Sequence, residues 1–255
     1  RALFESAGFR VENYPYYDAA TKGVNFAGMM ACLAGLPAGS IVVLHACCHN
    51  PTGADLSEAQ WLEVVEVIRA RGLVAFIDMA YQGFADGIEP DALALRLFAA
   101  SGLQFFVSSS FSKSFSLYGE RVGALSIVTA SRDESARVMS QVKRVVRTNY
   151  SNPPTHGGAI VAAVLSSPEL RKPWEEELAG MRERIRAMRT GLVDKRKARG
   201  VAQDFSFVAR QRGMFSYTGL TAQQVERLKA EFGIYAVSTG RICLAALNTR
   251  NLDYV

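Results

Sequence analysis

Residues 107–123, VSSSFSKSFSLYGERVG, place a single lysine among serines and phenylalanines directly after an apolar run. Lysine ordinarily lies on solvated surfaces, so these neighbours predict that Lys113 lies in a polar pocket at the end of a buried strand. Burial in such a pocket favours the neutral amine, which is a nucleophile toward carbonyl groups. The serine hydroxyls and the guanidinium of Arg121 suit a phosphate.

A lysine that can form an imine, next to a phosphate site, is what pyridoxal phosphate requires of a protein. The local sequence leaves an alternative open, because a serine-rich surface turn with an ordinary lysine has a similar composition. The rest of the chain has to distinguish these two interpretations.

The composition is that of a globular protein long enough for a large core. Of 255 residues, 49% are hydrophobic and 21% are charged, which excludes a disordered chain. The net charge of +5 argues weakly for an anionic ligand and hardly at all for nucleic acid. The four cysteines show no disulfide spacing, and we find neither a signal peptide nor a membrane-spanning apolar run. We therefore expect reduced thiols in a cytoplasmic protein.

The first part of the sequence alternates short apolar runs with amphipathic helices. The predicted strands are residues 41–44, 73–77, 103–107 and 122–129, of which the first three are expected to be buried. Ser57 and Gln60 form a capping box that begins a helix ending at Gly72, and a further helix is predicted over residues 91–101. Strands that alternate with helices predict an α/β fold with a parallel sheet and right-handed crossovers.

Polar side chains follow the predicted strands. Asn50, Asp78, Tyr81 and Lys113 each come shortly after a strand ends. Because the carboxyl ends of parallel strands meet at one edge of a sheet, where α/β folds bind ligands, we expect these four side chains to lie close together.

The second half of the sequence begins with a predicted helix over residues 131–147. A long helix is expected to start at Ser167-Pro168, with apolar residues every three or four positions, and Thr221 begins another. Strand-like segments are residues 205–209, 214–217, 234–237 and 242–247. We predict a large cofactor-binding domain over residues 1–166, followed by an interdomain helix and a small α+β domain over residues 167–255.

Six motifs occur in an order that is similar to a known family. They are CCHNPTG (47–53), DMAYQGF (78–84), SFSKSFSLYGERVG (110–123), NYSNPP (149–154), RGMFS (212–216) and Gly240-Arg241. The chain resembles the class I pyridoxal-phosphate aminotransferases of fold type I, in particular the aspartate and aromatic-amino-acid members. That resemblance implies an α/β large domain with a mostly parallel sheet and a smaller α+β C-terminal domain.

The resemblance implies a role for each polar residue at the predicted sheet edge. Lys113 is the lysine that forms the imine with pyridoxal phosphate and moves the proton, and Asp78 keeps the pyridine nitrogen protonated. Asn50 and Tyr81 donate hydrogen bonds to the phenolate oxygen of the cofactor. By local sequence alone, Asp78 can equally be a helix N-cap and Asn50 a turn residue before Pro51.

The remaining residues implied by the resemblance bind anionic groups. Ser110 and Arg121 hold the cofactor phosphate, Arg241 clamps the substrate α-carboxylate together with Asn50, and Arg147 reaches a dicarboxylate side chain across a homodimer. Without the resemblance, Arg241 is an ordinary surface arginine and Arg147 part of a solvated basic face.

A metal site is rejected at the cluster of possible ligands His45, Cys47, Cys48 and His49. Adjacent cysteines on a strand point in opposite directions, and the spacing lacks the gap typical of structural zinc. His45 is instead expected to pack beside Asp78, beneath the cofactor. The aromatic residues of 14–17 and His156 receive no role.

Two functions are compared. The first is transfer of an amino group from an aromatic or dicarboxylic amino acid to a 2-oxo acid, with aromatic substrates favoured because residues 115–121, 211–219 and 247–249 resemble the aromatic-amino-acid members. The alternative is a truncated or non-catalytic aminotransferase-like module that binds a ligand or partner without turnover.

The family's N-terminal arm, part of its phosphate site, the residue stacked on the cofactor ring and a final helix are expected to lie outside the chain.

Overall fold

The computed structural model describes all 255 residues. The strands are β1 (Tyr17–Asp18), β2 (Gly23–Val24), β3 (Ile41–His45), β4 (Val74–Met79), β5 (Phe105–Ser110), β6 (Gly123–Val128), β7 (Phe215–Tyr217) and β8 (Arg241–Cys243). The helices are α1 (Ala2–Ser6), α2 (Phe26–Gly35), α3 (Glu58–Arg71), α4 (Ile88–Asp91), α5 (Leu93–Ala100), α6 (Arg132–Asn149), α7 (His156–Ser166), α8 (Pro168–Ala198), α9 (Ser206–Arg210) and α10 (Ala222–Phe232).

The central sheet has four strands in the order β3-β4-β5-β6. The first three strands are parallel, which confirms the predicted mixed α/β fold with a mostly parallel sheet. The last strand, β6, runs antiparallel to β5, against the expectation of parallel strands throughout. The reason is the connection: residues 111–122 contain the lysine turn and no helix, so the chain returns along β5 without a crossover.

The sheet buries one face and only half-covers the other. Burial alternates along β4, where Ala75, Ile77 and Met79 are buried and the intervening residues are half-buried. The buried face packs on α2, α3 and α5 in a core that includes Phe98 and Trp61. Strands β3 and β4, which were predicted to be buried, are fully buried on this face, while their other face is half-buried apart from the exposed Ile41.

The predicted helix signals between the strands are confirmed. Ser57 and Gln60 form the reciprocal capping box at the start of α3, and Gly72 ends the helix with left-handed backbone angles. The helix predicted over residues 91–101 is interrupted at Ala92, so that the short α4 precedes α5.

An apolar groove lies along α6. Ser131 caps this helix as predicted, but none of its 18 residues is buried. A cavity of about 1000 Å³ separates α6 from the half-covered face of the sheet. Its apolar lining includes Phe106, Leu125, Ile127, Val138, Val142, Val145 and Val146.

The C-terminal part is organised around α8. Ser167 caps this helix and Pro168 occupies its first turn, as predicted. The strand expected over residues 205–209 is wrong: Asp204 accepts a hydrogen bond from the backbone N–H of Ser206 and α9 follows. Residues 234–237 form no strand, and the segment predicted at 242–247 divides into β8 and a short 3-10 turn.

The 31-residue α8 contacts both parts of the chain, and the domain division after residue 166 stays a prediction. No helix in the structure is both long enough and apolar enough to cross a bilayer.

Candidate active site

A hydrogen-bonded chain of three side chains joins distant parts of the sequence. The amide nitrogen Nδ2 of Asn50 donates to the hydroxyl of Tyr81 at 3.1 Å, and Nη1 of Arg241 donates to Oδ1 of Asn50 at 3.2 Å. Asn50 follows β3, Tyr81 follows β4 and Arg241 opens β8. The carboxyl edge of the sheet therefore meets the C-terminal strands at this point.

Lys113 lies at the same place. Its ammonium nitrogen is 4.7 Å from the centroid of the Tyr81 ring, it is half-buried, and it forms no salt bridge. The turn that carries it is anchored by Trp174 of α8. The indole N–H of Trp174 donates to the carbonyl of Ser114 at 2.8 Å, and the Trp174 ring stacks on Phe115 with the ring centroids 4.5 Å apart. The lysine is thus held at a fixed position by a neighbouring helix.

Two imidazoles at this edge, His45 and His49, have ring centroids 4.7 Å apart and are kept neutral by burial. Beside His45 lies Asp78, which is the last but one residue of β4 and does not follow the strand as predicted. The sheet register pairs it with His45, as predicted, and burial lowers the pKa of His45 against the opposing effect of the Asp78 carboxylate. The ring of His49 stacks on Tyr16 at 3.9 Å, and its Nδ1 lies 2.8 Å from the hydroxyl of Thr52. Burial lowers the pKa of His49 to about 3. Neither imidazole therefore adds a positive charge at this end of the sheet.

Arg241 is positioned to bind a carboxylate. Its guanidinium carbon lies 4.6 Å from the centroid of the Phe215 ring, and cation–π contact of this kind leaves the N–H groups at the edge of the guanidinium free to donate. The preceding Gly240 has φ +82°, and a Cβ there would lie 2.6 Å from the carbonyl oxygen of Leu220. Glycine is required immediately before the arginine.

Ser110 and Arg121 lie at the two ends of the turn between β5 and β6. The hydroxyl of Ser110 accepts the backbone N–H of Ser112 at 3.3 Å. Arg121 is exposed, has φ +52°, and donates to the carbonyl of Tyr118 at 2.8 Å. The register pairs Ser110 with Gly123, which brings the two predicted phosphate ligands to the same end of the hairpin. Their phosphate role stays a prediction.

Arg147 is the predicted residue that the structure does not bring to this cluster. It is exposed on α6 and bonds the hydroxyl of Ser151, one turn further along the chain. Its predicted role in a partner subunit is not tested by the single chain.

The thiols of Cys47 and Cys48 require a correction. Both cysteines lie beyond the end of β3, and Cys48 has φ +53°, so they do not point in opposite directions as strand residues would. Their sulfurs and a carboxylate oxygen of Asp91 lie within 4.8 Å of one another. That carboxylate already accepts four backbone N–H groups of the loop 83–87, and burial helps to raise the pKa of both thiols. These features favour a structural cluster over a metal site.

Sequence reasoning missed residues that position the site without carrying a motif of their own. Asp55 accepts the backbone N–H groups of Cys48 at 2.7 Å and of His49 at 2.8 Å, which fixes the turn leading to Asn50. Tyr16, given no role from sequence, bonds the carbonyl of Ala54 at 2.9 Å. A half-buried aspartate that binds only backbone leaves no pattern in one sequence.

Together the sheet edge presents an amine, a carboxylate, an amide–phenol pair and a guanidinium from separate loops. An α/β sheet with this set of groups is the arrangement of fold type I pyridoxal-phosphate proteins. The sequence matches the family described as aminotransferase class I and II over residues 1–255. The chain belongs to that family.

Similar proteins carry two different names. The chain is 71% identical over 255 residues to an aspartate aminotransferase of Pseudomonas aeruginosa, and 52% identical over 254 residues to an aromatic-amino-acid aminotransferase of Escherichia coli. Both matches cover 100% of the chain and 64% of the relative.

A crystal structure of an aromatic-amino-acid aminotransferase from Burkholderia pseudomallei, covalently bound to pyridoxal phosphate, superposes with a TM-score of 0.99 at 72% identity. The match covers 100% of the chain and 64% of that structure. The chain therefore spans about two thirds of the length of the proteins that it matches.

Proposed function

We propose that the complete protein is a pyridoxal-phosphate-dependent aminotransferase, which moves an amino group from an aromatic or dicarboxylic amino acid to a 2-oxo acid. The observation that carries the proposal is the position of Lys113, which is half-buried, without a salt bridge, and beside the Tyr81–Asn50–Arg241 chain. An amine that can react with a carbonyl group is thus linked, through Tyr81 and Asn50, to a guanidinium that can bind a carboxylate.

The residues present fit each functional group of the cofactor. Lys113 is the point of covalent attachment, and Asp78 is an anion for the pyridine nitrogen. Asn50 and Tyr81 are donors for the phenol oxygen, while Ser110 and Arg121 are ligands for the phosphate. When bound, pyridoxal phosphate supplies an electron sink that stabilises negative charge on the substrate Cα.

The protein supplies orientation and proton transfer. Arg241 and Asn50 hold the substrate α-carboxylate, which fixes the Cα relative to Lys113. The amine of Lys113, once neutral, is the base that removes the proton from the substrate Cα. In the reverse half-reaction it returns a proton to Cα. The imidazoles of His45 and His49 are neutral, so neither adds a positive charge that would compete with the pyridine nitrogen for the Asp78 carboxylate.

The first experiment separates a catalyst from a module that only binds. The full-length protein is mixed with pyridoxal phosphate, its absorbance spectrum is recorded, and Lys113→Ala is compared with wild type. Lys229→Ala, an exposed lysine on α10 paired with Glu226, is the matched control. We expect Lys113→Ala alone to lose the bound-cofactor band and transaminase activity. Identical spectra for Lys113→Ala and wild type would end the enzyme assignment.

The second experiment concerns substrates. Relatives at similar identity are named for aspartate and for aromatic amino acids, so the printed names do not choose between them. We infer an aromatic aminotransferase that also uses aspartate, acting as a cytoplasmic two-fold dimer in which Arg147 reaches the partner's site.

The values of kcat/KM for tyrosine, phenylalanine and aspartate measure the preference directly. Arg147→Ala is expected to lower kcat/KM for aspartate by about tenfold or more, with a smaller effect on phenylalanine, because only aspartate loses a charge pair. A large preference of the wild type for aspartate over both aromatic substrates would reverse the inference.

A further inference from the structure

Arg189 is a buried arginine with no carboxylate partner. It lies in the middle of α8 with 2% of its surface exposed, and it forms no salt bridge. Burial lowers its pKa to about 10, so the guanidinium remains charged at neutral pH. A charge is rarely buried without a counter-ion, because its desolvation must be offset by other contacts.

The contacts of Arg189 all go to one segment. Its three nitrogens donate six hydrogen bonds to residues 208–216, which we call the hinge segment. Five of these bonds go to backbone carbonyls, two of them to Gly213, and the sixth goes to the hydroxyl of Ser216 at 2.7 Å. The shortest carbonyl contact is 2.6 Å, to Gly213. A planar guanidinium is the side chain able to hold several carbonyls of a bent backbone at once.

On one side, the hinge segment is packed against the turn that carries Asn50. The backbone N–H of Arg212 donates to the carbonyl of Gly53 at 2.8 Å. A Cβ on Gly53 would lie 2.5 Å from the carbonyl oxygen of Phe215, and a Cβ on Gly213 would lie 2.5 Å from Cβ of Cys48. The two backbones are therefore in direct contact with no room for adjustment.

On the other side, the hinge segment leads into β7, which pairs with the strand that carries Arg241. Strand β7 pairs Tyr217 with Arg241 and Ser216 with Ile242. The ring of Phe215 is the surface on which the Arg241 guanidinium rests. The hinge segment thus contacts the turn that carries Asn50 and the side chain of Arg241, the two residues that the proposed function assigns to the substrate carboxylate.

We propose that Arg189 is a positioning residue for carboxylate recognition: by fixing the hinge segment it sets the relative placement of Asn50 and Arg241. The inference rests on the proposed function. Arg189 contacts neither substrate nor cofactor groups, and its effect passes through the backbone of residues 212–216. A carboxylate ligand requires both partners in register, so a small displacement of either weakens binding.

The test measures binding of a non-reactive carboxylate to the full-length protein loaded with pyridoxal phosphate. The probe is 3-phenylpropionate, and its dissociation constant is obtained by calorimetry for wild type, Arg189→Met, Arg189→Lys and Arg184→Met. Arg184 is the matched control, because it lies on the same helix and donates to the carbonyls of Leu247 at 2.8 Å and Ala245 at 2.9 Å, outside the hinge segment.

We expect Arg189→Met to weaken binding of the probe by about tenfold to a hundredfold. Arg189→Lys should give an intermediate loss, because an ammonium keeps the charge but cannot reach all five acceptor atoms. Arg184→Met should bind as wild type does, and the bound-cofactor spectrum should be the same in all four proteins. In turnover, the change should appear in KM for both amino acid and 2-oxo acid more than in kcat.

Two results would overturn the inference. The first is unchanged affinity in Arg189→Lys, because it would show that the fork of hydrogen bonds is not needed. The second is equal weakening by Arg184→Met, which would show a general loss of stability. Failure of wild type to bind cofactor at all would instead contradict the proposed function.

Discussion

Asp91 is predicted to hold the loop after Tyr81 through its carboxylate alone. The side chain is buried and accepts hydrogen bonds from the backbone N–H groups of Gly83, Ala85, Asp86 and Gly87 at 2.8–3.2 Å. Replacing it with the isosteric asparagine leaves one acceptor oxygen, so two donors lose their partners and the other two lose a charged one. Each unpaired buried donor costs about 1–3 kcal/mol, and each bond that loses its charge about 1 kcal/mol.

Asp91→Asn is therefore expected to lower the free energy of unfolding by about 4–8 kcal/mol, a large part of a typical protein's stability. The local measurement is hydrogen exchange of the peptide covering residues 82–88 in the full-length protein, where protection should fall by about a hundredfold or more. Glu89→Gln makes the same charge change on α4 at an exposed position and should leave exchange unchanged. Equal exchange in Asp91→Asn and wild type would refute this account of the loop.

Three further predictions concern other parts of the chain. Burial raises the pKa of Asp55 from 3.8 to about 6. The stability that this carboxyl contributes is therefore complete below pH 3.8 and is lost as the pH rises through 6. Asp55→Asn should remove this decline in the free energy of unfolding, about 3 kcal/mol, which urea unfolding at pH 4 and at pH 7 measures. Trp174→Phe keeps the stacking on Phe115 but loses the bond to the Ser114 carbonyl, and should cost about 1 kcal/mol in the same assay; no change would mean that water replaces the indole N–H. The 255 residues expressed alone should aggregate and bind pyridoxal phosphate weakly, because α6 buries no residue and the groove beside it is apolar; a soluble, active dimer would contradict this expectation.

Much of the fold could be predicted because its signals are local. A capping box depends only on residues three apart, and the helices that follow Ser57, Ser167 and Thr221 begin where those residues indicate. Short β-branched runs between helices predict a parallel sheet, because few other connections join such elements. The antiparallel direction of β6 was not predicted, since it depends on the absence of a helix between residues 110 and 123.

The candidate site likewise combines positions that the local sequence predicts with contacts that it does not. The sequence predicted that Asn50, Asp78, Tyr81 and Lys113 follow strands, and strand ends of a parallel sheet meet at one edge by geometry alone. The hydrogen bond from Arg241 to Asn50, 191 positions apart, was not predicted, because no local pattern encodes so distant a contact; the family resemblance implied only that both residues bind the substrate.

Tertiary structure alone decided which polar residues support the site. Asp55 and Asp91 bind backbone groups four to eight positions away, and Arg189 binds carbonyls at least 19 positions away. A backbone acceptor or donor is present at almost every residue type. Their partners therefore leave no signature in the sequence that could be matched to them. The sequence determines the elements and the chemical groups, whereas the packing of α8 and the turns determines how those groups are held.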